Sequence, residues 1–235
     1  MGSRADINSA NALSTLPLFP PIEERPTQSV SPSVAVVSNC IKNLPYQLST
    51  LPDLQTILAD LRCLSSVFPR GDQRLSWQTN SMWYADILYN CKRSLIFLSH
   101  STPQSLDEKV SFACSHAAAI LVEICFRGVS INARIVDTLL GRLKSALGSL
   151  FADQEWAEGS SGEGEKTKIA FWAVCVGGIA AVKRSEGAWS VEHATSLADL
   201  LNVGSWKDAE SILQSVLWHS GWGLPHSAFW RVLES

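Results

Sequence analysis

The sequence predicts an all-α fold, a bundle of about seven helices that follows a proline-rich N-terminal arm. From Thr50 onward, apolar residues recur at steps of three and four, the period of a helix that buries one face. No run of four or more residues alternates convincingly between apolar and polar side chains, as a half-buried strand requires. Eight of the ten prolines lie in the first 70 residues, so helix breakers are concentrated at one end of the chain.

The arm is predicted to be disordered over residues 1–48. Five prolines lie between Pro17 and Pro32, and each lacks a backbone amide and restricts the residue before it. The sequence therefore predicts two regions, this arm and one all-helical domain over residues 49–235.

Two amphipathic stripes predict the first two helices. One stripe runs from Leu54 to Val67 and is ended by Pro69, and the other runs from Tyr84 to Leu98. Each presents its apolar side chains on one face, so we expect both helices to pack against the rest of the bundle.

The third helix, Val110 to Phe126, is apolar on nearly all sides, which is typical of a helix in the middle of a bundle. Ser105 and Glu108 have the spacing of a capping box before it, and Gly128 is a natural stop after it. A fourth stripe runs over residues 131–150. Its polar side chains are predicted to face solvent, namely Arg134, Asp137, Arg142 and Lys144.

The last third of the chain begins after a predicted surface linker, EGSSGEGE, at residues 158–165. Three further helical segments follow it: an apolar segment at residues 169–182, a helix that carries Ala194 and Leu201, and an amphipathic helix from Trp206 to Leu217. Ser205 with Asp208 offers a second capping box. Within the apolar segment, two consecutive glycines at 177 and 178 predict either a close approach of another helix or a break.

Composition excludes several classes of protein. The 235 residues carry 19 Lys and Arg against 22 Asp and Glu, a formal charge of −3, so charge gives no sign of nucleic-acid binding. The longest uncharged helical run, 14 residues from Ile169 to Val182, is too short to cross a bilayer. The N-terminus lacks the apolar region of a signal peptide. Six scattered cysteines without zinc-site spacing predict reduced core thiols. We expect a soluble intracellular protein without a cofactor or metal.

None of the candidate catalytic motifs in the sequence is complete. The string GSSGEGEKT at residues 159–167 places Glu165 where a phosphate-binding loop needs lysine. Cys114 and His116 are two residues apart and point to different faces of a helix, so they predict a core cysteine and a histidine at the polar edge. His219 and His226 could be metal ligands only with partners that the sequence does not reveal. We therefore predict that the chain is not an enzyme.

Nine tryptophans are an excess for this length, and six of them lie between Trp172 and Trp230. Tryptophans of this kind either fill gaps between helices or line a pocket or partner surface. The candidate pocket for a partner or ligand consists of five of them: Trp172, Trp206, Trp218, Trp222 and Trp230.

Three strings in this region carry a resemblance to a known family. They are KIAFWAVCVGGIAAV from Lys168, LNVGSWKDAESILQSVLW from Leu201, and AFWRVLE from Ala228. Together they resemble the helical regulatory region of fungal-specific zinc-cluster transcription factors, most clearly over residues 169–234. The closely spaced cysteines of the family's DNA-binding unit are missing from this chain.

The resemblance implies a fungal regulator of transcription, nuclear or alternatively cytoplasmic. A link to a specialised-metabolite gene cluster is the setting that it suggests. It implies action through protein partners or a small effector, without direct contact to nucleic acid or membrane. The sequence leaves two alternatives open. One is a helical scaffold or homodimerisation module, and the other is an all-α enzyme, although no aspartate-rich diphosphate motif is present.

Overall fold

The computed structural model describes residues 52–67, 81–159, 164–182, 184, 186–219 and 224–233. The predicted arm, residues 1–48, lies outside these ranges. The described residues form nine α-helices and no strand, which confirms the all-α prediction. In chain order they are α1 (Pro52–Val67), α2 (Ser81–Leu98), α3 (Leu106–Leu121), α4 (Arg134–Phe151), α5 (Gln154–Gly159), α6 (Gly164–Ala180), α7 (Glu186–Leu200), α8 (Trp206–Val216) and α9 (Leu224–Leu233).

The helix α6 is the centre of the bundle. Every residue from Ile169 to Ala181 is buried, and α6 packs against α3, α4, α7, α8 and α9. A helix with apolar side chains on all sides has no favourable position except between other helices. The helices α1 and α2 pack on each other and cover one side of α3.

The two central glycines allow close packing, as one of the two sequence interpretations predicted. The helix α6 continues through both of them without a break. A Cβ atom at Gly177 would lie 2.9 Å from Leu143 Cδ2 of α4, and one at Gly178 would overlap the ring of Phe229 in α9. Glycine suits both positions, because a neighbouring helix occupies the space of each missing side chain.

Helix ends follow the predicted capping chemistry at two places. At α3, Ser105 Oγ accepts the Glu108 amide at 3.3 Å, and Glu108 Oε2 accepts the Ser105 amide at 3.1 Å. At α8, Ser205 Oγ accepts the Asp208 amide, but the Asp208 carboxylate bonds the Ser205 hydroxyl at 2.7 Å. Aspartate is one methylene shorter than glutamate, so only the first half of the second predicted box forms.

The helix α3 ends in a wider π-turn, Val122–Phe126. Its last bond joins the Arg127 amide to the Val122 carbonyl oxygen at 3.1 Å. Gly128 follows with a φ of 65°, the left-handed conformation that suits the predicted glycine stop. Helix α3 and its π-turn, Leu106–Phe126, are long and apolar enough to cross a membrane, yet 72% of the most apolar stretch is buried inside the protein. Such burial is typical of a core helix.

Two predictions about the chain need adjustment. The predicted linker at 158–165 is shorter than expected, because α5 extends to Gly159 and α6 begins at Gly164. Trp156 anchors α5 by packing on Phe151, with ring centroids 5.7 Å apart. The short helix α5 and the C-terminal helix α9 were not among the predicted helices.

Candidate functional site

The structure separates the predicted tryptophans into a core residue and a cluster. Trp172 is fully buried in α6, and its indole N–H donates to the carbonyl oxygen of Leu217. Trp206 lies against two other half-buried indoles, with centroid distances of 6.0 Å to Trp218 and 5.5 Å to Trp230. Edge-to-face contacts of this kind stabilise a packed cluster. Trp222 lies outside the described residues.

The three clustered indoles, Trp206, Trp218 and Trp230, are here called the tryptophan cluster. They join the start of α8, the segment after α8 and the helix α9. Each of them also packs against the apolar core. Trp172 is linked to this region by its hydrogen bond to the backbone of Leu217, and its own ring is buried in the core.

A second region, not predicted from the sequence, is a cleft between α3, α4 and the loop after α2. It has a cavity volume of about 510 Å³, which is within the range of small-molecule sites. We call it the α3–α4 cleft. Its apolar wall includes Phe112 and Ala146. Its hydroxyl groups come from Ser99, Thr102, Ser145 and Ser149.

Four basic side chains line the α3–α4 cleft: Lys109, Arg142, His100 and His116. Among the described residues that line it, none is an aspartate or glutamate. Lys109 is paired with a carboxylate outside this lining, because its Nζ lies 2.5 Å from Oδ2 of Asp153. The cleft therefore combines positive charge with hydroxyl groups and an apolar wall, within a chain whose net charge is −3.

His116 is a buried residue and not the polar-edge residue that the sequence predicted. Only 3% of it is exposed, and its ring contacts Phe112 edge to face at 4.6 Å between centroids. Burial, together with the nearby Arg142 guanidinium, lowers the pKa of His116 to about 4. The imidazole is therefore neutral at pH 7 and offers the cleft a hydrogen-bonding group without charge.

Arg142 was likewise predicted on the solvent face of α4, but the structure places it in the wall of the cleft. It also lines a smaller pocket beneath, which shares Ser99 and His116 with the cleft. The smaller pocket has a cavity volume of about 10 Å³, close to the space that one water molecule needs.

A buried ion cluster adjoins the smaller pocket, whose lining includes Lys92 and Glu123. Lys92 Nζ lies 3.0 Å from Glu123 Oε1, and Arg127 pairs with the other oxygen of the same carboxylate. The Glu123 side chain is only 1% exposed. Burial lowers the pKa of Lys92, and the Glu123 carboxylate opposes that change. The π-turn carries Glu123, and such turns are frequent at functional sites.

Cys114 and His116 do not form a nucleophilic couple. Burial raises the pKa of Cys114 to about 12, so its thiol is protonated at neutral pH. The described cysteines are free thiols, as predicted: Cys63, Cys91, Cys114, Cys125 and Cys175. His219 is buried, with its ring 5.0 Å from that of Phe126, and the side chain of His226 lies outside the described residues. Within the described ranges no three His, Cys, Asp or Glu residues are grouped as metal ligands.

Fold and site together define an all-helical protein with a buried central helix and a basic cleft on one side. Comparisons of the chain with protein-family models, with curated proteins and with solved structures found no match.

Proposed function

We propose that this chain is a non-enzymatic regulatory protein that responds to a small effector in the α3–α4 cleft. The observation that carries the proposal is the cleft itself, a cavity of about 510 Å³ with basic, hydroxyl and apolar groups on its walls. The resemblance of residues 169–234 to the regulatory region of fungal zinc-cluster transcription factors supplies the biological setting. In that setting the protein is nuclear and influences transcription without contacting DNA.

The packing supports communication between the cleft and the part of the chain that carries the resemblance. Arg142 lines the cleft, and the next residue, Leu143, fills the space above Gly177 of α6. A ligand that favours one position of α4 therefore also favours one position of α6, because tightly packed side chains cannot move independently. The tryptophan cluster lies on α8, on α9 and on the segment after α8, and both of these helices pack against α6.

A reporter assay tests the proposal. The full chain is fused to a heterologous DNA-binding domain in a fungal host, and transcription from the matching promoter is measured. Ser145→Trp places a bulky side chain at the exposed rim of the cleft. We expect the wild-type fusion to change the reporter signal and Ser145→Trp to return it to the level of the DNA-binding domain alone.

The matched control is Ser196→Trp, the same substitution at an exposed position of α7 outside the cleft. This variant should behave as the wild type. A wild-type fusion without any effect on the reporter, or equal effects of the wild type and Ser145→Trp, contradicts the proposal.

Binding of a partner protein through the tryptophan cluster is the second candidate function. Three half-buried indoles near the C-terminus favour it, because tryptophan is common at the centres of protein interfaces. Trp230→Ala should then lower recovery of a partner from a fungal extract while the variant stays folded. If the chain instead forms a stable homodimer in sedimentation experiments without other partners, a scaffold or dimerisation role is favoured.

A further inference from the structure

We infer that the α3–α4 cleft takes an uncharged ring compound that carries a hydroxyl group, and that Ser145 and Ser149 of α4 bind its polar side. The inference rests on the proposed function, because it assigns a ligand class to the same cleft. It follows from three properties of the lining: the engagement of its basic groups, the position of its hydroxyl groups, and its apolar surface.

Two basic side chains of the lining are already engaged within the protein, so they do not call for an anion. Lys109 Nζ lies 2.5 Å from the carboxylate of Asp153, and Arg142 has interactions of its own within the folded chain. A charged ligand would have to compete for these cations and would also lose its own hydration, which is costly. An uncharged ligand avoids both costs.

A deeply buried polar group of the lining is uncharged as well. Only 3% of His116 is exposed, and burial, with Arg142 nearby, lowers the pKa of its imidazole to about 4. A neutral imidazole has one nitrogen that donates a hydrogen bond and one that accepts. It can therefore pair with a hydroxyl group, and it brings no charge that an anion would have to balance.

The hydroxyl groups of the lining suit a ligand hydroxyl. Ser145 and Ser149 lie one helical turn apart at exposed positions of α4, so they share one face of this helix. Each serine hydroxyl can both donate and accept a hydrogen bond. Ser99 Oγ, in the same lining, donates to the carbonyl oxygen of Ile96 at 2.7 Å. Its oxygen is then left to accept, and an acceptor needs an O–H or N–H group on the ligand.

The apolar part of the lining explains why the ligand has a ring system. Phe112, Ala146 and Pro103 line the same cavity as the hydroxyl groups. The half-buried ring of Phe112 is held edge to face against His116, with 4.6 Å between the centroids. A volume of about 510 Å³ leaves room for two fused rings. A polyol without an apolar face would leave this surface in contact with water, which is unfavourable.

Calorimetry with the full chain at pH 7 tests the ligand class directly. The first probe is 2-naphthol, which is uncharged at this pH. The second is 2-naphthoate, which has the same rings and a negative charge, and the third is myo-inositol, which has hydroxyl groups but no apolar rings. We expect 2-naphthol to bind at least about tenfold more tightly than 2-naphthoate, because burial of a charge is penalised. Inositol should bind more weakly than 2-naphthol.

A double variant assigns the contact to the two serines of α4. Ser145→Ala combined with Ser149→Ala removes both hydroxyl groups and should weaken 2-naphthol binding about threefold to tenfold, the effect of losing a hydrogen bond between neutral groups. Alanine favours a helix, so α4 should be retained. The control Ser196→Ala, at an exposed position of α7 outside the cleft, should leave 2-naphthol binding unchanged. The comparison of the three probes uses the wild-type chain and does not depend on the variants.

Four results would each overturn the inference: no binding of 2-naphthol, binding of 2-naphthoate or of inositol as tight as that of 2-naphthol, or equal affinities of the double variant and Ser196→Ala for 2-naphthol. These results are separate from the reporter assay. If Ser145→Trp removes the reporter effect but 2-naphthol does not bind, the effector cleft survives and the ligand class is wrong. If 2-naphthol binds but Ser145→Trp leaves the reporter unchanged, the binding site survives and the regulatory function is wrong.

Discussion

At the scale of single residues, burial decides chemistry more than residue type does. Histidine and arginine are residue types that usually lie at the surface, and the sequence predicted both His116 and Arg142 at polar positions. The structure places them in the walls of the same cavity. Helical periodicity alone assigns each residue to a face, but it does not reveal which other helix lies against that face. This is why the cleft could not be predicted from the sequence.

The buried His116 makes stability depend on pH in a defined range. Its pKa falls from 6.5 in an exposed chain to about 4 in the folded protein. The unfolded chain therefore binds a proton more readily, so the stability is fully present above pH 6.5 and is lost as the pH falls through about 4. The loss attributable to this group is on the order of 3 kcal/mol.

Urea unfolding at a series of pH values between 7 and 4 measures this dependence. We expect His116→Gln to have a shallower decline in unfolding free energy than the wild type over that range. His100→Gln, at an exposed position, should keep the wild-type slope. Parallel curves for the wild type and His116→Gln would show that this imidazole does not contribute.

At the scale of helices, the packing of α6 against its neighbours depends on two glycines, which have no side chain. The pair Gly177 and Gly178 allows α4 and α9 to approach the same stretch of α6. The sequence revealed the unusual pair but left two explanations open, because a glycine pair fits both a close contact and a helix break. Only the positions of Leu143 and Phe229 distinguish them.

The close approach predicts opposite effects for the same substitution at two helical glycines. Gly178→Ala should lower the unfolding free energy by about 1–3 kcal/mol, because the new methyl group would overlap the Phe229 ring. Gly148→Ala, in the exposed face of α4 with no atom within 4 Å of the new Cβ, should raise it by about 0.5–1 kcal/mol. Denaturant titration measures both, and a stabilising Gly178→Ala would contradict this packing.

At the scale of the whole molecule, the described fold agrees with the fold predicted from the sequence. The sequence patterns that predict helices are local, so they could be recognised without knowledge of distant contacts. Stripes such as Leu54 to Leu64 and the capping pair Ser105–Glu108 depend on neighbours in sequence, and the structure confirms them. The features that the sequence did not predict depend on contacts between residues far apart in the chain. The ion pair of Lys92 with Glu123, for example, joins helices that sequence periodicity treats independently.

One such distant contact joins α1, the first described helix, to α8. Arg62 of α1 donates from Nε to the carbonyl oxygen of Val216 at 2.9 Å and from Nη2 to that of Gln214 at 3.1 Å. These carbonyl groups lie at the end of α8, where they lack partners within the helix. A guanidinium satisfies them and matches the negative end of the helix dipole.

Arg62→Gln should therefore lower the unfolding free energy by about 2 kcal/mol, the value of hydrogen bonds to a charged group. The matched control Arg231→Gln, at an exposed position of α9, should change it by less than about 0.5 kcal/mol. Thermal or urea unfolding followed by circular dichroism provides the measurement. Equal effects of the two substitutions would mean that the contact between α1 and α8 adds nothing to stability.

The central position of α6 has a consequence for biosynthesis. Helices α3 and α4 leave the ribosome before α6 does, and the parts of their apolar faces that pack on α6 are uncovered until α6 follows. Until Ala180 has been translated, those faces are open to chaperones and to other nascent chains. If translation stops before Gly164, the product lacks the central helix α6. Cellular quality control would then recognise the apolar surface that α6 would have covered.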